Sequence, residues 1–147
     1  MTIGTHFLAT TLGVQMLGLT GQERVLAYTF GMAVDVDHIV KAPYYLRAEG
    51  LVNKKGYYWR SSLQEPVALL WILPLALFLH SWVPVIFFVV HVAMDYSVRF
   101  EKMPLNPYSG WVTRGWLTNI PDGLKEAVLA VVLLALNIGF YFGWLRV

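Results

Sequence analysis

The stretch PVALLWILPLALFLHSWVPVIFFVVHVAMD, residues 66–95, decides the fold. Up to Met94 it contains no Asp, Glu, Lys or Arg, so it is suited to hydrocarbon rather than to water. It could form one over-long helix or two shorter ones. We predict a break at residues 80–84, because an interfacial Trp82 and a Pro84 suited to the first turn of a helix favour a tight hairpin.

The rest of the chain continues this pattern. Apolar segments near the length of a membrane span lie at residues 3–19, 23–41, 66–80, 84–100 and 124–145. With 57% hydrophobic and 14% charged residues, the 147-residue chain has more apolar surface than one soluble domain can bury. We therefore predict an all-α fold, a polytopic integral membrane helical bundle of about five transmembrane helices. Residues 1–147 form a single transmembrane domain.

The basic residues predict the orientation of this bundle. Five spans place the amino terminus and the two long connections, residues 42–65 and 101–123, on the same side. That side holds nine of the 11 Lys and Arg residues, and the other side holds only Arg24 and Arg146. By the positive-inside rule the first side is cytoplasmic. We expect a prokaryotic inner or plasma membrane.

Composition also limits cofactors and partners. The chain has no cysteine, so a metal must be bound by imidazole and oxygen ligands. A net charge of +2 is too small to indicate nucleic-acid binding. The expected partners are membrane lipids, with partner subunits or a homo-oligomer as further options.

Ionisable residues interrupt the apolar segments. Asp35, Asp37 and His38 end the second segment, and the fourth contains His91 and Asp95, which lie four apart on one helix face. An ionised Asp near the middle of a membrane helix costs about 2.5–3.5 kcal/mol. Three of them would cost up to about 10 kcal/mol unless a compensating charge is present.

A divalent cation would provide that compensation, since carboxylates and neutral imidazoles are its natural ligands. The predicted topology brings the candidates toward the cytoplasmic face. The predicted metal ligands are His6, Asp35, His38, His91 and Asp95. The alternatives are that His6 is a packing residue, that Asp37 binds water at the interface, and that Asp95 only orients the His91 imidazole.

Three motifs together resemble a known family. They are Thr5-His6, then Asp35-x-Asp37-His38, then His91-x-x-x-Asp95, and they extend over about two-thirds of the chain. In order and spacing they resemble the LexA-regulated, membrane-bound metal-dependent hydrolases, a domain of unknown function likened to zinc-dependent phospholipase C. The resemblance implies a membrane hydrolase that uses a divalent metal, zinc first and manganese or iron as alternatives, on phosphoester or lipid substrates.

The chain departs from the family pattern at two motifs. The usual Leu-Pro before Asp35-x-Asp37-His38 is Ala33-Val34 here, a mild change that loses only a helix-shaping proline. Where the family has His-Arg-Gly-x-Thr-His-Ser, residues 59–65 read Trp-Arg-Ser-Ser-Leu-Gln-Glu, so Arg60 remains and Trp59 and Gln64 stand at the histidine positions. If the chain is an enzyme, Asp37 or Glu65 would accept a proton from water and Arg60 would hold a phosphate or oxyanion.

The missing histidines also favour a different class of protein. In that alternative the chain is a non-catalytic subunit of a larger membrane complex, and its histidines bind metal or a pigment or only pack. The aromatic end of the last segment, Phe140-Tyr141-Phe142 with Trp144, would suit a partner subunit. An ion transporter is disfavoured, since five helices give little inverted-repeat symmetry.

Overall fold

A computed structural model describes residues 1–39, 61–99 and 101–145. Its five longest elements are α-helices, and each overlaps one predicted apolar segment. They are α1 (Ile3–Met16), α2 (Gly21–Gly31), α3 (Leu69–Phe78), α4 (Val83–Tyr96) and α5 (Asp122–Tyr141). Short 3-10 turns cover Ala33–Val36, Ser62–Gln64 and Pro66–Ala68. Within the described ranges the only β pairing is an isolated bridge between Lys102 and Thr113. The prediction of an all-α fold is confirmed.

The hairpin between α3 and α4 lies where the sequence predicts it. α3 ends at Phe78, His80 adopts a left-handed conformation with φ of 50°, and Pro84 lies in the first turn of α4. The Ser81 hydroxyl accepts a hydrogen bond from the Val83 amide at 3.3 Å. Residues 66–95 therefore form two antiparallel helices, and the second half of α4 lies at the opposite end of the bundle from the hairpin.

Helix packing brings α1, α2 and α4 together. α1 packs against both α2 and α5, α2 packs against α4, and α3 packs on the outer side of α4. Phe87 of α4 is 4% exposed and packs with Val14 of α1 and Ala27 of α2. A Cβ at Gly13 would lie 2.9 Å from the Phe87 ring, so only glycine permits this approach of α1 to α4.

Polar side chains lie in the interior of the bundle, and large apolar side chains lie on its surface. Several polar side chains are buried between the helices beside the apolar core, whereas large apolar side chains of α3 and α5 face outward. α5 has 20 residues and only 22% of its apolar window is buried, so most of its apolar surface is exposed. An exposed apolar face of this kind needs to be covered by lipid or by another protein.

Helix length distinguishes α5 from the other helices. In the part of the chain that the structure describes, α5 alone is long and apolar enough to cross a membrane. α1 and α4 have 14 residues each, which corresponds to a rise of about 21 Å, less than the about 30 Å of a hydrocarbon core. The bundle of five membrane spans therefore stays a prediction.

Candidate metal centre

Four of the five predicted metal ligands meet inside the bundle. His6 comes from α1, Asp35 from the 3-10 turn after α2, and His91 and Asp95 from successive turns of α4. One ligand atom of each residue lies within 4.8 Å of the ligand atoms of the other three. All four residues are buried, with exposures of 8% for Asp35 and 1–2% for the others. We call this group the His–Asp cluster.

Imidazoles and carboxylates alternate around the cluster. The Nε2 atom of His6 lies 3.1 Å from Asp95 Oδ1 and 3.7 Å from Asp35 Oδ2. The Nε2 atom of His91 lies 3.5 Å from Asp35 Oδ1 and 3.8 Å from Asp95 Oδ2. Each ring nitrogen thus faces both carboxylates. The predicted pairing of His91 with Asp95 across one helical turn is present.

His91 is held in the tautomer that a metal requires. Its Nδ1 atom lies 3.1 Å from the Gly31 carbonyl oxygen, which can only accept, so Nδ1 carries the proton. Nε2 then presents a lone pair to the two carboxylates, which cannot donate to it when ionised. This buried nitrogen has no hydrogen-bond partner among the described residues. A metal ion would satisfy it, and orientation of a metal-binding histidine by a backbone carbonyl is a recurrent arrangement.

The sequence at the end of α2 creates this carbonyl contact. α2 ends at Gly31, where a Cβ would overlap Thr10 Oγ1 of α1 and lie 3.2 Å from the Phe87 ring. Met32 leaves the helical conformation, with φ of −139°, and the chain tightens into the 3-10 turn Ala33–Val36. This turn directs Asp35 inward, toward His6 and His91.

The amino-terminal end of the cluster is closely packed. The rings of His6 and His91 stack with centroids 4.1 Å apart and an interplanar angle of 20°. The amino group of Met1 donates a hydrogen bond to Asp95 Oδ1 at 2.8 Å. Thr5, the neighbour of His6, donates to Glu126 of α5 at 2.7 Å and so joins α1 to α5. These contacts fix the first turn of α1, and with it His6.

His38 and Asp37 lie on the other side of Asp35. His38 Nε2 is 3.8 Å from Asp35 Oδ1, and His38 Nδ1 is 3.9 Å from Asp37 Oδ1. Their side chains are 26% and 14% exposed, whereas those of His6 and His91 are fully buried. The cluster therefore opens toward the outside at His38 and Asp37.

Two predicted catalytic residues, Arg60 and Glu65, come from the connection after α2. Glu65 is 2% exposed and accepts a hydrogen bond from the Tyr96 hydroxyl at 2.6 Å. It is not in the group of described residues whose ligand atoms converge on a metal position. Arg60, like Trp59, lies outside the described residues.

The donor atoms lie close enough together to share one divalent cation. A tetrahedral site with metal–ligand bonds of about 2.0–2.1 Å separates neighbouring ligand atoms by about 3.3 Å. With one atom taken from each residue, the donors lie within 4.8 Å of one another, and nitrogen–oxygen separations that involve both oxygens of each carboxylate are 3.1–3.8 Å. Two imidazoles and two carboxylates form a neutral set with a dication. The cluster can therefore hold a metal ion, and its donors do not specify which metal.

An apolar groove runs beside the cluster, between the second half of α4 and the first half of α5. Its volume is about 630 Å³. Met1, whose amino group contacts Asp95, is one of its lining residues. The walls are mostly apolar and include Ala93, Met94, Leu124, Val128 and Val132.

Sequence reasoning missed three contributors to the site. In the comparison with the family motif, Gln64 stands at the position of a lost histidine. Its amide nevertheless contacts Asp35, Asp37 and His38. Gly31 supplies the carbonyl for His91, and Tyr96 supplies the hydroxyl for Glu65. The role of Gly31 has a usable sequence signal, which is a glycine just before a polar motif at a helix end. Nothing in the spacing of Gln64 or Tyr96 indicates their partners.

Comparisons of the chain with protein-family models, curated proteins and solved structures find no match. The resemblance to membrane-bound metal-dependent hydrolases stays a prediction that rests on the motifs of this sequence.

Proposed function

We propose that this chain is an integral membrane protein with a divalent-metal centre at the His–Asp cluster, and that the centre hydrolyses phosphoester bonds of lipids. The observation that carries the proposal is the convergence of His6, Asp35, His91 and Asp95 within 4.8 Å, together with the lack of a hydrogen-bond partner for His91 Nε2 among the described residues. Buried ionisable groups in a bundle with an apolar exterior are functional by default, because they are costly to keep there.

The membrane location is supported by the outward apolar faces. Exposed side chains of α5 and α3 such as Val131, at 67%, and Phe78, at 80%, would be solvated by lipid. Helices of 10–14 residues can serve as spans where the bilayer thins or where flanking turns extend them. The excess of basic residues on one predicted side favours a cytoplasmic position of the cluster, in a prokaryotic inner membrane.

The chemistry would divide among residues as follows. His6, Asp35, His91 and Asp95 hold the ion, and Gly31 keeps the His91 lone pair directed at it. A bound divalent metal supplies Lewis acidity and activates water at neutral pH. Asp37 is the most exposed nearby carboxylate and is positioned to accept the proton, while Arg60 would hold the substrate phosphate.

Lipid is the substrate class that the surroundings favour. The groove of about 630 Å³ beside α4 and α5 is wide enough for an acyl chain and begins next to Asp95. A phosphoester bound at the cluster would thus have an apolar channel for its tail. The exposed apolar side chains around the groove would be covered by the same bilayer.

A second candidate is a non-catalytic subunit of a membrane complex. It is favoured by the aromatic end of the chain, where Tyr141, Phe142 and Trp144 are 62–75% exposed and Phe142 stacks on Trp144 at 5.5 Å. Such a cluster suits an interface with another membrane chain. In that case the His–Asp cluster would bind metal without turnover, or only pack.

Two measurements on the purified full chain in detergent test the proposal. Elemental analysis is expected to find one divalent ion per chain, and hydrolysis of phosphatidylcholine vesicles or a chromogenic phosphodiester is expected to stop on chelation and to resume with zinc or manganese. Chelator-insensitive cleavage would point to a contaminant. A metal-bound chain without cleavage, isolated with a fixed partner chain, would favour the subunit.

A further inference from the structure

The side-chain amide of Gln64 lies in an unusual environment. Its Nε2 atom is 2.5 Å from Asp37 Oδ1, 3.1 Å from Asp35 Oδ1, 3.2 Å from His38 Nε2 and 3.4 Å from the Val34 carbonyl oxygen. The side chain is completely buried. We call this set of three oxygen atoms and one imidazole nitrogen the Gln64 pocket.

The number of acceptors exceeds what an amide can satisfy. An NH₂ group has two protons, so it can make two good hydrogen bonds and not four. The two carboxylates carry negative charge, and the amide brings only a partial positive charge. A set of oxygen and imidazole acceptors that converges on one point is the environment of a cation rather than of an amide.

The Gln64 pocket and the His–Asp cluster share a carboxylate. Asp35 Oδ1 is 3.1 Å from Gln64 Nε2 on one side and 3.5 Å from His91 Nε2 on the other. A carboxylate between two cation positions is the arrangement of two-metal centres, whose ions lie about 3.5–4 Å apart. Asp37 and His38 would supply the remaining ligands of the second position.

Local structure keeps the amide in this position. The Ser61 side chain caps the 3-10 turn Ser62–Gln64 by accepting from the Leu63 amide at 3.1 Å. The Ser61 amide donates to Asp37 Oδ2, also at 3.1 Å, so the turn is attached to the same carboxylate that Gln64 contacts. The backbone contacts would remain if the Gln64 side chain changed.

We propose that Gln64 sets the number of ions, because its amide nitrogen takes the second cation position formed by Asp35, Asp37 and His38. This inference rests on the proposed metal centre. In the native chain the His–Asp cluster binds one divalent ion, and the Gln64 pocket stays closed to metal. Replacing the amide by a carboxylate of the same shape opens the pocket, since it exchanges a donor for a ligand.

The test compares ion stoichiometry in three full-length proteins, each stripped with chelator, loaded with Mn²⁺ and freed of excess ion. The native chain is expected to hold one ion, Gln64→Glu two, and the control Gln22→Glu, an exposed residue at the start of α2, one. Two ions that share a carboxylate also couple magnetically, so the Mn²⁺ electron paramagnetic resonance spectrum of Gln64→Glu is expected to change shape.

A double variant assigns the second ion to the Gln64 pocket. Gln64→Glu combined with Asp37→Asn is expected to return to one ion and to the native spectrum. One ion in both the native chain and Gln64→Glu would overturn the role of Gln64 and leave the metal centre intact. No ion in the native chain would overturn the metal centre itself. Two ions in the native chain would overturn the role of Gln64 as well.

If Gln64→Glu does not fold, Gln64→His provides the same comparison with an imidazole ligand and no added charge. Its expected stoichiometry is two, and a value of one counts against the proposal in the same way.

Discussion

The His–Asp cluster and the Gln64 pocket lie on either side of Asp35 and differ in how their polar atoms are paired. In the His–Asp cluster, His91 Nε2 faces two carboxylates and has no donor among the described residues. In the Gln64 pocket, an amide NH₂ lies 2.5–3.4 Å from three oxygen atoms and the His38 Nε2 atom. The first arrangement can hold a metal ion, and in the second an amide nitrogen lies at the centre of the polar atoms.

The fold keeps Asp35, Asp37 and His38 in place around Gln64, so a change of the Gln64 side chain is expected to leave the His–Asp cluster intact. The following variants test the division between the two groups and the role of the neighbouring Glu65, in order of decreasing expected effect on metal binding.

His91→Ala is expected to abolish metal binding, because it removes a buried ligand whose neighbours remain fixed. The metal content measured by elemental analysis is expected to fall from one ion per chain to none, with affinity more than about 100-fold weaker. His80→Ala is the matched control, since His80 lies in the hairpin at the opposite end of α4. Equal metal content in both variants would show that the metal is elsewhere.

Gly31→Ala is expected to weaken metal binding by about 10–100-fold without removing any ligand. The added Cβ would overlap Thr10 Oγ1 and displace the carbonyl that orients His91. The affinity can be measured by competition with a fluorescent zinc chelator. Gly110→Ala, where a Cβ has open space around it, is the control and is expected to bind as the native chain does. Native affinity in Gly31→Ala would contradict the role of the carbonyl.

Tyr96→Phe is expected to lower stability and to leave metal binding unchanged. It removes the hydroxyl that donates to the buried Glu65 carboxyl group, and the loss of a donor to a buried acceptor costs about 1–3 kcal/mol. Denaturant unfolding in detergent measures the change. Tyr28→Phe, which loses only a neutral contact with Thr11, is expected to cost about 0.5–1.5 kcal/mol. A loss of metal from Tyr96→Phe would place Glu65 in the metal centre.

Asp37→Asn in the native background is expected to leave both the metal content and the fold unchanged. Asp37 contacts Gln64 and the Ser61 amide and is not among the four converging ligands. The stoichiometry is expected to stay at one ion, and phosphoester cleavage is expected to fall because a proton acceptor is lost. Loss of the ion would join the two groups into a single site.

Much of this architecture can be predicted from the sequence, because apolar runs and helical spacing are local properties. The break at residues 80–84 follows from Trp82 and Pro84, and the proximity of His91 to Asp95 follows from their spacing. The approach of His6 to His91 and Asp95 follows from the order of the helices in the bundle.

The contacts of Gln64 and Glu65 could not be predicted in the same way. Gln64 ends one short 3-10 turn and Glu65 links it to the next, in a segment without periodicity where one residue of shift changes which side chain points inward. Glu65 contacts Tyr96 and Gln64 contacts Asp37, a division that depends on how the turn packs against α4 and the end of α2.

The central claim is that the His–Asp cluster holds a divalent ion, and the metal content of the native chain tests it most directly. The full chain, purified in detergent without added metal, is expected to contain one zinc, manganese or iron ion per molecule. Chelation is expected to remove the ion and to lower the unfolding temperature, and the same metal is expected to restore both. A metal-free native chain whose unfolding temperature does not respond to any of these metals would contradict the account.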